Sequence, residues 1–518
     1  TAQREPERAG RPDGAGADGA AEAGAHRAKV RSAIGWSYLL TAGRVGSSVL
    51  VTFLLAKLLG PGEFGLLAMA LVFITIAQTV LQQGLVSAIV QRDRLTADHL
   101  DAAFAVLVLA GLAVTLLTVA VSPLWAWVNQ EPELTVICVA LAPLVLFQGF
   151  SVVPEALLRR ELRFRAVAVR TLLAAVLSGI VGIGLALAGA GVWALVGQQL
   201  VNAVVSMVAV WTVCRWRPSR RPRLGAIRDL WVFSAHSANA GIGLMLSTRL
   251  ELIFSGVFFG PVATGIYRLA ARLPDMLVDV TVRSLQQVAL PSLSRLQHDR
   301  AALAAHLTQL QHLGAVAGLP VLGVLSATAG PLVDFLGPQW AGTETPLRLL
   351  CLFGAVNVYG VLLGPALQAV GRPGRLALIT WTRGALGVAA LAALGTGLTV
   401  GDPAGQASAV AVAGVVLQVL VNSLALWLTV HREIGASLVR FVLPTLPAVL
   451  AGGCAAGVPV VAGWLGLPGL DALIGVLVLG TLSALAAGLA LWVADRRLRT
   501  QVLTRLRRRT AGTPVPEA

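Results

Sequence analysis

Long apolar runs, each about the length of a bilayer crossing and joined by short polar links, dominate the chain. A helix rising 1.5 Å per residue needs roughly 20 mostly apolar residues to cross a hydrocarbon core of about 30 Å. Runs of this kind lie near 34–58, 64–90, 102–122, 135–153, 169–188, 192–213, 230–258, 266–290, 312–332, 346–370, 376–396, 408–430, 441–462 and 472–493. The pattern predicts an all-α integral membrane protein with about 14 transmembrane helices. The eighth run is the least apolar. The links are too short for an inserted soluble domain, so any chemistry is expected among the helices.

Charge in the links orients the spans. One set of links carries Glu63, Glu131, Glu133, Asp334, Glu344, Asp402 and Asp471, without Lys or Arg. The alternate set carries Arg92 and Arg94, the cluster Arg159, Arg160, Arg163 and Arg165, the cluster Arg215 to Arg223, and then Arg295, Arg300, Arg372, Arg375, Arg432 and Arg440. Basic residues of short loops stay cytoplasmic. Both ends, with Arg27, Lys29 and Arg31 on one side and Arg496 to Arg509 on the other, are therefore expected inside. Residues 1–28 lack an apolar core and read as a polar tail rather than a signal peptide.

Composition sharpens this picture. The chain is 56% hydrophobic and 13% charged, with a mean hydropathy of +0.78; soluble domains run to about 25% charged. The net charge of +15 lies in the inner links, which argues for a membrane anchor and against a nucleic-acid partner. Lys29 and Lys57 are the only lysines beside many arginines, a bias that points to high-GC coding and a bacterium. Cys138, Cys214, Cys351 and Cys454 are scattered without metal-ligand spacing and read as packing residues.

An internal repeat organises the spans. The turn Leu59-Gly60-Pro61-Gly62-Glu63-Phe64-Gly65 recurs as Phe259-Gly260-Pro261-Val262-Ala263-Thr264-Gly265, and Leu81-Gln82-Gln83 recurs as Leu285-Gln286-Gln287. Spans 1–6 and 7–12 thus read as two copies of a six-helix unit in the same orientation, a plan that places substrate between lobes near the midplane. The expected layout is a tail at 1–32, an N-lobe at 33–214, a basic linker at 215–229, a C-lobe at 230–430, two further helices at 431–495 and a basic tail at 496–518.

Four segments carry a resemblance. Leu58-Leu59-Gly60-Pro61 with Phe64-Gly65, the run Pro154 to Arg165, the run Leu290 to Leu296, and Leu367-Gln368-Ala369-Val370-Gly371-Arg372-Pro373 together resemble the polysaccharide transporters of the MATE/oligosaccharidyl-lipid/polysaccharide exporter superfamily. The resemblance covers about residues 30–495. It implies a Wzx-like flippase that carries undecaprenyl-diphosphate-linked oligosaccharide across the bacterial inner membrane by alternating access. It also implies two six-helix bundles forming a V, with two accessory helices. The partners implied are membrane lipids, the lipid-linked oligosaccharide, and the polymerase and glycosyltransferases of polysaccharide synthesis.

Charges within spans mark where cargo is expected, because they are costly unless they face a cavity or a partner. Arg268, Arg272, Asp275, Asp279 and Arg283 follow 4, 3, 4, 4 spacing and so share one face of span 8. Arg44 lies in span 1, Arg249 and Glu251 in span 7, and Arg383 in span 11. Guanidinium groups grip phosphate bidentately; Arg44, Arg249, Arg268, Arg272 and Arg383 are the expected diphosphate ligands. The bland readings are pairing of Arg249 with Glu251, pairing along span 8, and snorkelling of Arg383. Glu251, Asp275 and Asp279 are the expected coupling groups for a proton or sodium gradient; no other cofactor and no metal is implied. In-span amides at Gln82, Gln83, Gln198, Gln199, Asn202, Asn239, Asn357 and Gln368 suit either sugar hydroxyls or helix–helix bonds. The segment Arg159 to Arg170 reads as a lipid anchor or as a collector of headgroups. Gly314-x-x-x-Gly318, Gly360-x-x-x-Gly364 and Gly453-x-x-x-Gly457 read as close helix contacts.

The histidines at 99, 236, 298, 306, 312 and 431 form no metal or base cluster in sequence, and no large outer loop exists. An enzyme is therefore not expected. Rival transporters with the same plan are a lipid II flippase and a cation-coupled multidrug exporter; arginine-rich spans favour an anionic lipid over a cationic drug.

Overall fold

The computed structural model describes residues 46–72, 74, 75, 78, 96–161, 163–219, 224–397, 401–464, 472–495, 499 and 500, with side chains at 164, 224–250, 283, 284, 287 and 373 excepted. Arg44, Gln82, Gln83 and the side chains of Arg249, Asn239 and Arg283 lie outside the described residues. Helix is the regular structure of everything described. Among the described residues, eleven helices are long and apolar enough to cross a membrane, and two shorter apolar ones accompany them.

In chain order these are α1 (Gly46–Leu58), α2 (Pro61–Val72), α3 (Ala97–Val128), α4 (Glu133–Arg160), α5 (Arg165–Leu187) and α6 (Val192–Val213). A continuous helical stretch, Leu224–Val278, is broken at Gly260, whose φ of 75° is open to glycine without penalty. The break separates α7 (224–259) from α8 (261–278). A π-helical turn at Asp279–Arg283 leads to α9 (Ser284–Ser294). Then follow α10 (Arg300–Ala327), α11 (Ala329–Leu336), α12 (Glu344–Ala369), α13 (Gly374–Gly397), α14 (Pro403–Glu433), α15 (Leu438–Trp464) and α16 (Ala472–Ala494).

Hydroxyls are tolerated inside these apolar helices because they bond their own backbone. Thr118, Ser151, Thr171 and Thr281 each donate to the carbonyl four residues back, at 2.6–2.8 Å. Ends are set by caps: Asp299 Oδ1 accepts from the Ala301 and Ala302 amides at 3.0 Å and starts α10, and Asp402 Oδ2 accepts from Gly405 at 2.8 Å and starts α14. Large apolar residues such as Leu109, Leu116 and Leu485 stand exposed on the outer helices. In water they would form sticky patches; against lipid tails they are at home.

One apolar cluster belongs to α1–α6, centred on Leu55, Met69, Leu107, Ile137, Val145 and Leu195. Others belong to the later helices, among them Tyr267, Leu347, Cys351 and Val410. Helices α15 and α16 pack on each other and on α10. There Gly323 and Gly452 allow backbone contact, for a Cβ on Gly323 would overlap the Gly452 carbonyl. Of the expected glycine pairs, Gly453 and Gly457 meet nothing. The close face of α15 is instead Ala448, Gly452 and Ala455, one residue off the predicted stripe.

The two Gly-Pro turns meet each other. A Cβ on Gly65 would overlap the Pro261 carbonyl, and a Cβ on Gly265 would overlap the Pro61 carbonyl. The repeated motif thus forms a reciprocal backbone contact, each copy's proline carbonyl resting on the other copy's glycine. Beside it, Trp340 is fully buried and donates its Nε1–H to the Ala56 carbonyl at 2.6 Å. Its ring meets Phe64 edge-on at 5.5 Å, and Lys57 Nζ lies 4.3 Å from the Phe335 ring centre. Trp340→Ala is expected to cost about 3–5 kcal/mol, seen as a lowered melting temperature of purified protein. Trp340→Phe, which keeps the packing and loses one bond, is expected to cost about 1 kcal/mol; equal losses in both variants would show that packing contributes little.

Candidate functional site

Among the described residues, two polar sites stand out between the spans. The first gathers the later helices. Glu251 on α7 is buried, and its Oε1 faces Arg383 Nη2 on α13 at 4.0 Å; the two side chains are 9% and 19% exposed. The Arg383 guanidinium also lies 5.8 Å from the Phe353 ring centre on α12. Buried Tyr267 on α8 stands in the electrostatic field of Glu251, Asp275, Arg383 and Arg268. Four of the expected site residues are thus brought around one phenol from three helices.

Arg383 sits about 14 Å along the helix axis from Gly374. At that depth its half-buried guanidinium faces the Glu251 carboxylate. Arg268 and Arg272 are half-buried, while Asp275 and Asp279 are exposed. The wider turn at Asp279–Arg283 ends the α-helical period on which the five-residue stripe was built.

The second site is a cavity of about 620 Å³ inside α1–α6 territory, lined by Gln78, Gln148, Ser151, Glu155, Arg159, Arg170, Gln199, Asn202 and Ser206 together with apolar groups. Glu155 Oε1 accepts from Arg159 Nη2 at 2.7 Å and from Arg159 Nε at 3.1 Å. Its Oε2 faces Arg170 Nη1 at 3.0 Å. Asn202 Nδ2 donates to Ser178 Oγ at 3.3 Å. Sequence reasoning singled out Gln199, Asn202 and the Arg159–Arg170 segment but missed Gln78, Gln148, Glu155 and Ser206. Spacing was the available signal: Gln148, Ser151, Glu155 and Arg159 step by 3, 4 and 4, and Gln199, Asn202 and Ser206 by 3 and 4.

Other predicted polar groups serve packing. Asn357 Oδ1 accepts from Gln418 Nε2 at 3.1 Å between α12 and α14, and Asn422 Nδ2 donates to the Val356 carbonyl at 2.8 Å. His312, unremarkable in sequence, faces Asp495 at 3.1 Å and the Pro444 carbonyl at 2.8 Å, tying α10 to the ends of α15 and α16. Among the described residues no group of His, Cys, Asp and Glu could hold a metal ion.

A family model described as polysaccharide biosynthesis protein matches residues 54–344. The succinoglycan biosynthesis transport protein ExoT of Rhizobium meliloti (strain 1021) is 27% identical over 341 residues, covering 65% of this chain and 69% of that protein. The lipopolysaccharide biosynthesis protein WzxC of Escherichia coli (strain K12) is 26% identical over 363 residues, 67% of this chain and 71% of that one. Among solved structures, the lipid II flippase MurJ in an inward closed conformation superposes with a TM-score of 0.66 at 13% identity, over 88% of this chain and 99% of that chain. An inward-facing multidrug resistance MATE family transporter of the MOP superfamily gives 0.56 at 15% identity, over 74% and 93%. At these identities the structural likeness is one of fold.

Proposed function

The chain belongs to the polysaccharide biosynthesis protein family, and from that premise we propose that it is a flippase for undecaprenyl-diphosphate-linked oligosaccharide. It is a transporter rather than an enzyme, in keeping with ExoT, which is described as a transport protein. The observation that supports the cargo reading is the Glu251–Arg383 pair deep in apolar helices, with Arg268 in the same field. A diphosphate is a multivalent anion that offers guanidinium groups more acceptor oxygens than one carboxylate does.

In this reading the protein lies in the bacterial inner membrane with both termini cytoplasmic, as two six-helix lobes and two accessory helices. The Gly-Pro contact seals the outer end. Cargo enters from the cytoplasmic leaflet, and its diphosphate meets Arg383, Arg268 and Arg272, with Arg44 and Arg249 contributing from spans 1 and 7. Glu251, displaced from Arg383, becomes the coupling group, with Asp275 and Asp279 as further carriers of a proton or sodium ion. Reopening of the lobes on the outer side releases the cargo.

Deletion of the gene is expected to trap lipid-linked oligosaccharide in the inner leaflet. Complementation by R383Q or R268Q is expected to fall at least tenfold when normalised to the amount of protein in the membrane. Full complementation by every arginine variant would remove the cargo-binding role.

A further inference from the structure

The cavity within α1–α6 is not used by the mechanism above, yet it is built for an anion. We propose that it binds a phosphorylated sugar. Arg159 and Arg170 take the phosphate at the mouth, Gln148, Gln199 and Asn202 take hydroxyls further in, and Glu155 is the resident anion that the phosphate displaces. The link to a lipid-borne cargo rests on the transport reading; the binding chemistry does not.

Three observations carry this. First, polarity is concentrated on faces that line the cavity. Gln148, Ser151, Glu155 and Arg159 form one stripe of α4, and Gln199, Asn202 and Ser206 one stripe of α6. Polar residues scattered through apolar helices would not align so on two neighbours.

Second, charge is left over. Two guanidiniums share one carboxylate, each Glu155 oxygen already engaged, so the triad is net positive. Arg170 is 12% exposed, and its Nε is buried with no acceptor among the described residues. A structural ion pair needs one arginine. The second arginine and the unmatched donor exceed that need, and a phosphate supplies the missing acceptors in the fork geometry that arginine prefers.

Third, the site is graded. The Arg163 guanidinium reaches the Val213 carbonyl at 3.4 Å, so the ends of α4 and α6 meet beside Arg163. Glu155, Arg159 and Ser206 stand toward that end. Gln148 lies about 16 Å deeper than Arg159 along α4, and Gln199 about 10 Å deeper than Ser206 along α6. Charge at the mouth with neutral amides below matches a ligand with a phosphate at one end and hydroxyls at the other. The cavity volume falls in the range of about 300–1,000 Å³ usual for ligand sites.

The test is calorimetric titration of the purified full chain with glucose 1-phosphate, inorganic phosphate and glucose, and with a polyprenyl diphosphate sugar in the same micelles. Glucose 1-phosphate is expected to bind, with affinity at least tenfold weaker in R159Q and R170Q and near wild type in R170K. E155Q is expected to bind several-fold tighter, because the competing carboxylate is gone. Gln199→Ala with Asn202→Ala is expected to weaken glucose 1-phosphate and leave inorganic phosphate unchanged. A large gain in the polyprenyl arm identifies a lipid headgroup as the source, and equal affinities identify a free sugar phosphate; both support the site. Absent binding, or E155Q and R170Q losing affinity alike, would overturn it. Binding as expected, together with an undisturbed leaflet distribution on deletion, would retain the site and remove the transport reading. Absent binding by the wild-type chain, together with lipid-linked oligosaccharide trapped in the inner leaflet on deletion, would do the reverse.

Discussion

A protein carrying Gly62→Cys and Val262→Cys forms an intramolecular disulfide on oxidation and loses transport more than tenfold, with recovery on reduction. The expectation rests on the reciprocal contact of the repeats. A Cβ on Gly62 lies 4.0 Å from Val262 Cγ2, close enough for the geometry of a disulfide after small adjustment. The native thiols interfere little: Cys138, Cys214 and Cys351 are buried, and exposed Cys454 can be replaced by alanine. Alternating access requires this end to part, and a covalent staple forbids it. The steric counterpart is Gly65→Ala, whose added methyl collides with the Pro261 carbonyl. Overpacking of this kind costs about 1–3 kcal/mol, enough to shift a balanced equilibrium toward the parted state several-fold or more. A stapled protein that transports at the full rate would show that this contact does not gate the path.

The second large effect concerns Glu251 and Arg383. Removing one partner of a largely buried pair weakens the compensation of the other charge. Glu251→Gln and Arg383→Gln are each expected to lower the melting temperature and abolish transport. The double variant Glu251→Gln/Arg383→Gln removes both charges and is expected to regain most of the stability while remaining inactive. That split separates a structural pair from a cargo site. Regained transport in the double variant would make the pair purely structural.

Much of the architecture was legible from hydropathy. The run expected at 192–213 is the helix Val192–Val213, and the run at 472–493 is Ala472–Ala494, because bilayer thickness and helix rise fix the length of an apolar run. The two similar Gly-Pro turns were legible as well, but that they meet each other was not. No sequence rule says that Pro61 finds Gly265. The Glu251–Arg383 pair was hidden for the same reason: its members were each conspicuous, yet they stand far apart in sequence, and the pairing across α7 and α13 is tertiary. Glu155 was missed because its charge, near the end of a span and followed by arginines, read as part of an inner link. Only the packing of α4 against α6 and the position of Arg170 turn it inward. The π-helical turn at Asp279–Arg283 has no period signature that short, so the stripe on α8 was drawn longer than the α-helix carries it.

Reconstitution of the purified chain into liposomes holding a lipid-linked oligosaccharide, with leaflet distribution read by enzymatic access from one side, tests the central claim most directly. Wild-type protein is expected to bring the lipid-linked oligosaccharide of the inaccessible leaflet into reach at a rate far above that of empty liposomes, and the oxidised Gly62→Cys/Val262→Cys protein is expected to do so no faster than empty liposomes. Wild-type liposomes that leave the leaflet distribution unchanged would contradict the account.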